Sequence, residues 1–110
     1  MAASTPVSAD ETPEGDPEQT MAILDALGDE VSREILVAGM ERAVTAEELA
    51  SRCSVSESTI YRRLDRLSEL GLAERCNHLV SESDAKSAYR TPVDGLTVEL
   101  DQDGLRVEPE

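Results

Sequence analysis

Thr45-Ala46-Glu47-Glu48-Leu49-Ala50-Ser51-Arg52-Cys53-Ser54-Val55-Ser56-Glu57-Ser58-Thr59-Ile60-Tyr61-Arg62-Arg63-Leu64 decides how this chain folds. Thr45 followed three residues later by Glu48 has the form of a capping box and predicts a helix start. Ala46, Leu49, Ala50 and Cys53 then recur at helical spacing and give that short helix one apolar stripe. Only Ser54 and Val55 separate it from Ser56, which is placed to cap a second helix running to about Leu70. Val55 and Ile60 occupy the two positions of a hydrophobic staple, which sets the angle of entry. Ile60, Leu64 and Leu67 form the buried stripe of this second helix, and Gly71 ends it. Two helices joined by so tight a turn, the second longer and rich in arginine, make a helix–turn–helix pattern.

Working outward, the N-terminal side predicts two more helices. Thr20 caps one that carries Ile23, Leu24 and Leu27 and closes at Gly28. Asp29 caps the next, with Val31, Ile35 and Leu36 inward and Gly39 at its end. Beyond Gly71 the helical period stops. Leu72 to about Leu79 and Ser87 to about Thr91 read as two strands around the polar tip from Ser81 to Lys86. Leu96, Val98 and Leu100, then Leu105 and Val107, alternate with polar residues across the turn Asp101-Gln102-Asp103-Gly104, with Gly104 supplying a positive φ. One face of this last hairpin is apolar and must be covered by the domain or by another chain. The expected fold is therefore α+β: a winged helix–turn–helix with four helices, a wing hairpin and a C-terminal β-hairpin. Residues 1–19 read as a disordered acidic tail, 20–92 as the winged helix–turn–helix domain, and 93–110 as the hairpin extension.

Charge narrows the function. The 110 residues hold 24 carboxylates against 10 basic side chains, a net charge of −14. Lys86 is the only lysine, Tyr61 and Tyr89 are the only aromatic residues besides His78, and the core must be aliphatic. Asp10, Glu11, Glu14, Asp16 and Glu18 stand in the N-terminal tail without a base, among Pro6, Pro13 and Pro17; such a segment cannot bury enough surface to offset its ordering entropy. Arg52, Arg62, Arg63 and Arg66 against Glu57 and Asp65 make one window of the chain locally positive. No apolar run is long enough for a membrane span, and an N-terminus with acids and no bases is not a secretory signal. Two cysteines cannot build a disulfide framework and suit a reducing cytoplasm. With no glycine-rich loop and no nucleophile–base pair, an enzyme is not expected, nor is a cofactor.

With Ile60, Leu64 and Leu67 inward, Ser58, Arg62, Asp65 and Glu69 point most directly outward, and Thr59, Tyr61 and Arg66 lie on the flanks. A surface helix offering Ser58, Tyr61 and Arg62 from its first two turns can enter a DNA major groove, where arginine matches the two acceptors of guanine. Ser56, Thr59, Arg63 and Arg66 are placed for phosphates, which position the protein without specifying sequence. For an isolated helix the plainer reading is a solvated face; the tight turn before it and the strand hairpin after it favour DNA. The wing tip sets Glu82 and Asp84 against Lys86, so a solvated tip and a contacting one stand level. Arg75, Lys86 and Arg90 are secondary candidates there. Cys53 sits on an apolar stripe and reads as a small buried hydrophobe. Cys76 and His78 fall on one side of a strand, but two ligands fall short of a closed zinc site. The rival reading is a winged-helix module that binds protein and no DNA, supported by the acid balance and by Glu57 and Asp65 on the outer face.

Ala26-Leu27-Gly28-Asp29-Glu30, Ser32-Arg33-Glu34-Ile35-Leu36, Thr45-Ala46-Glu47-Glu48-Leu49-Ala50, Ser56 to Leu64 and Leu67-x-x-Leu70-Gly71-Leu72 together resemble ArsR-type winged-helix transcription regulators. The resemblance spans about residues 20–92. Tyr61-Arg62-Arg63-Leu64, the acid excess, the scarcity of lysine and the C-terminal hairpin are similar to variants abundant in halophilic archaea. It implies DNA contact by Ser58, Thr59, Tyr61, Arg62 and Arg63. Two departures stand out: the metal-sensing members carry a Cys-x-Cys pair on the third helix where this chain has Cys53 alone, and the family's basic wing is missing. The expected partner is double-stranded DNA, bound by a homodimer through two recognition helices about one helical turn apart. The first helix and the C-terminal hairpin are the expected dimer surfaces. The sequence names no effector.

Overall fold

The computed structural model describes residues 17–81 and 84–110, with side chains throughout except at 77–81 and 84–86. Four helices come first: α1 (Pro17–Leu27), α2 (Glu30–Glu41), α3 (Ala46–Cys53) and α4 (Glu57–Glu69), with a two-residue strand β1 (Val44–Thr45) entering α3. Two hairpins follow, β2 (Glu74–Ser81) with β3 (Asp84–Arg90), and β4 (Leu96–Asp101) with β5 (Gly104–Pro109). All pairing is antiparallel; the first sheet has the order β1-β3-β2 and the second is the isolated β4–β5 pair.

The helix–turn–helix forms for the local reasons its sequence suggests. Thr45 Oγ1 accepts from the Glu48 N–H at 3.1 Å while the Glu48 carboxylate accepts from the Thr45 N–H at 2.9 Å, a complete capping box. Ser54 takes the left-handed conformation at φ 59° and stops α3, and the Val55 N–H reaches back to the Ala50 carbonyl at 3.1 Å. Leu49, Ile60, Leu64 and Leu67 are the largest fully buried side chains, so the two helices of the motif meet at the centre of the core. Ile23, Ala26, Ile35, Leu36, Val44, Leu72 and Val107 close around them.

Four expectations change. α1 starts at Pro17, not at a Thr20 cap, and Thr20 is buried within it. Proline suits the first helical position because its missing N–H is an orphan there anyway, and Glu18 adds an acid in the first turn. Of the acidic tail expected over 1–19, residues 1–16 lie outside the described residues. Gly39 does not end α2, which continues to Glu41; it sits where Thr91 crosses the helix, and the Thr91 N–H donates to its carbonyl at 3.0 Å. The wing strands run on toward the tip, to Ser81 and from Asp84; Glu82 and the side chains of His78, Asp84 and Lys86 lie outside the description. The last hairpin divides its apolar face. Val107 joins the core and Leu96 packs against it, beside α1, whereas Val98 is half exposed and Leu100 is 78% exposed.

Candidate nucleic-acid interface

α4 is capped by Ser56 and exposes the residues of its first turn. Ser56 Oγ accepts from the Thr59 N–H at 3.1 Å, donates to Thr59 Oγ1 at 3.0 Å and lies 3.2 Å from Ser58 Oγ. Three hydroxyls therefore gather on the first turn, those of Ser56 and Ser58 exposed and that of Thr59 half-buried. Tyr61 is 45% exposed despite its ring, and Arg62 beside it is exposed as well. Glu57, Asp65 and Glu69 are exposed on the same helix, Asp65 and Glu69 on the side opposite the buried stripe.

What separates the arginines is their pairing. Arg42 meets Glu48 at 3.1 Å, Arg52 meets Glu34 at 3.6 Å, Arg90 meets Glu74 at 3.1 Å, and Arg106 bridges Glu99 and Asp101. Arg33 donates to the Leu27 carbonyl at the end of α1, and Arg75 to Ser87 Oγ. Arg66 lies 3.6 Å from Asp25 in an exposed, loose pair. Among the described residues Arg62 is the one arginine with no hydrogen bond or ion pair, and even Asp65, a turn away, does not hold it.

Arg63, expected on a phosphate, is turned inward. Its Nε donates to Asp29 Oδ2 at 2.9 Å and its second terminal nitrogen to Oδ1 at 3.3 Å. The reason lies in its position: residue 63 precedes the fully buried Leu64 and leans over the core edge, where the N-cap of α2 presents a carboxylate. Asp29 also accepts from the backbone N–H and the hydroxyl of Ser32, both at 2.9 Å. The Arg63 guanidinium above all, and the Ser32 bonds after it, hold the Asp29 carboxyl far below the usual carboxylate range despite partial burial, and Arg63 is stabilised in its charged form in return. No local signal in the sequence announces this pair, whose members are 34 positions apart.

Of the seven expected contact residues, the structure brings Ser56, Ser58, Thr59, Tyr61 and Arg62 together on the first turns of α4. Arg66 lies farther along with Asp25, and Arg63 is withdrawn. Cys53 is half-buried and burial pushes its thiol pKa up, as expected of a packing residue. No group of three or more His, Cys, Asp or Glu side chains able to hold a metal occurs among the described residues. No helix among them is long and apolar enough to cross a membrane.

Comparisons with known proteins agree with the fold. Residues 30–83, from the start of α2 to just past β2, match a family model described as an HTH domain. The fold of this stretch is a helix–turn–helix. Among solved structures the chain is similar to HlyU from Vibrio cholerae, with a TM-score of 0.56 and 23% identity over 71% of this chain and 79% of that one. With the wing hairpin directly after α4, the fold of the domain is a winged helix. No curated protein matches the chain in sequence.

Proposed function

We propose that this chain is a sequence-specific DNA-binding transcription regulator that lays α4 in the major groove. One observation carries the reading: in a chain of net charge −14, Arg62 alone among the described arginines is left unpaired, and it stands on the outer side of the second helix of a helix–turn–helix. An arginine with all five donors free suits the two acceptors of guanine, a contact worth about 1–3 kcal/mol of discrimination. Ser58 and Tyr61 flank it for further base or sugar contacts. Ser56, Thr59 and, once released from Asp25, Arg66 suit phosphates, and Arg63 sets the attitude of α4 through Asp29.

The resemblance of residues 20–92 to ArsR-type regulators supports action as a homodimer, with exposed Met21 on α1 and Leu100 on the last hairpin as its apolar surface. The acid excess suits work in the cytoplasm of a halophile. At about 1 M salt the screening length is only about 3 Å, so distant carboxylates hardly oppose a duplex. Close hydrogen bonds such as those of Arg62 then supply the affinity that counterion release no longer does.

The test is selection of bound fragments from random duplexes at 2–3 M potassium chloride, followed by titration of the selected site. Wild type is expected to bind with two chains per duplex, and Arg62→Ala to bind about 5- to 150-fold more weakly, as the discrimination energy implies. One chain per duplex would count against the dimer. No selection and no binding by wild type at any salt would leave a protein-binding winged helix in its place.

A further inference from the structure

A cleft of about 560 Å³ opens where α4 passes the corner between α1 and α2, within the roughly 300–1,000 Å³ range of small-ligand sites. Arg62, Asp65, Arg66 and Glu69 recur along α4 at helical spacing, and this charged stripe forms one wall. The end of α1 and the start of α2 form the other. Two charge pairs close across the cleft, Arg63 with Asp29 at 2.9 Å and Arg66 with Asp25 at 3.6 Å. Arg62, Asp65 and Glu69 remain. All three are exposed, and none makes a hydrogen bond or ion pair among the described residues. The cleft therefore offers one free cation and two free carboxylates. A simple anion is opposed by the carboxylates and a simple cation by Arg62. Only a ligand with one carboxylate and two cationic groups answers all three. The spacing suits such a molecule, because Asp65 lies about 4.5 Å and Glu69 about 10 Å along the helix axis from Arg62. A carboxylate on the Arg62 fork leaves the α-ammonium beside Asp65 and carries a distal cation toward Glu69 on an extended side chain.

We propose that this cleft is an effector site for a basic α-amino acid, and that its occupation takes Arg62 away from DNA. The regulatory half rests on the DNA-binding reading above; the binding half does not. A carboxylate engages the same guanidinium fork that guanine would engage, so the two ligands exclude each other at that side chain. Occupation of the cleft and of the groove are then linked with opposite sign, and each weakens the other by the same factor.

The experiment titrates the full chain with L-lysine, L-ornithine and L-arginine by calorimetry at 0.5 and 2 M potassium chloride. Cadaverine, which lacks the carboxylate, and L-norleucine, which lacks the distal ammonium, are the control probes. At least one of the three amino acids is expected to saturate one site per chain and to bind about tenfold or more tightly than either control. Arg62→Ala, Asp65→Asn and Glu69→Gln should each weaken it by about 3- to 10-fold. Arg52→Ala, outside the cleft, should not, and thermal melts at the same salt confirm folding. The bound amino acid should raise the apparent Kd of the selected duplex for wild type. Glu69→Gln, which keeps Arg62, should blunt that effect while still binding DNA. No saturable binding of any of the three by folded wild type overturns the proposal. Equal binding of cadaverine or L-norleucine overturns the charge complement on which it stands. Ligand bound with duplex affinity unchanged overturns the effector role and leaves the DNA contact of Arg62 standing. Ligand binding with no DNA binding at any salt removes the DNA reading and the regulatory half with it, while the ligand site stands.

Discussion

Asp29 serves two structures with one carboxylate. It caps α2 through Ser32 and fixes α4 through Arg63, so the recognition helix is tied to the N-terminus of its neighbour. The cap is readable from sequence because its partner is three residues away; the ion pair is not, because 34 residues and a tertiary packing step separate its ends. Since the folded carboxyl has a depressed pKa, its stabilisation is full above the unfolded value near 4 and is lost as pH falls through that range toward the folded one. Asp29→Asn keeps the capping oxygen and loses the charge. It is expected to cost about 1–2 kcal/mol near neutrality, the modest figure of a charged hydrogen bond about a third exposed. The gap between wild type and variant should narrow from pH 5 to pH 2 in urea unfolding; a gap constant across that range would show that the charge of Asp29 does not matter.

At the scale of elements, the junction between α2 and the chain leaving the wing is a close fit at Gly39. Thr91 Oγ1 donates to the Leu36 carbonyl at 2.7 Å in a buried setting, and a Cβ on Gly39 would come within 2.6 Å of that oxygen and 2.9 Å of the Thr91 nitrogen. Neither atom can swing away, since one is backbone and the other is held. Helix propensity alone makes Gly39→Ala stabilising by about 1 kcal/mol. Overpacking of a closed contact makes it destabilising by about 1–3 kcal/mol, and we expect that sign. Denaturant midpoints decide between them, and a variant as stable as wild type would mean the junction yields. The glycine is visible in the sequence as a helix terminator, which is its commoner use; that it marks a crossing strand emerges only once residue 91 is brought to residue 39. The two-residue strand β1 escapes sequence reading for a related reason, since two residues have no period and its identity comes from pairing with β3.

The whole molecule carries its charge unevenly, with a locally positive window over residues 52–66 and acid at both ends of the chain. Self-repulsion of 24 carboxylates against 10 cations opposes the compact state, and salt relieves it. The melting temperature should rise with potassium chloride between 0.1 and 3 M, most steeply below about 1 M, where the screening length shrinks from about 10 to about 3 Å. A melting temperature flat over that range would mean that the short ion pairs lost to screening balance the repulsion relieved.

The chain's own order of residues settled whatever depends on neighbours within a few positions. The caps at Asp29, Thr45 and Ser56, the turn of Ser54 and Val55, the stripe Ile60-Leu64-Leu67 and the Gly104 turn of the last hairpin rest on bonds and faces that span one turn or one strand pair. Tertiary structure alone decided which cations remain available. Arg62 and Arg63 are adjacent and chemically identical, yet one faces solvent and the other closes on Asp29, because a helix turns 100° per residue and only packing says what waits on each side.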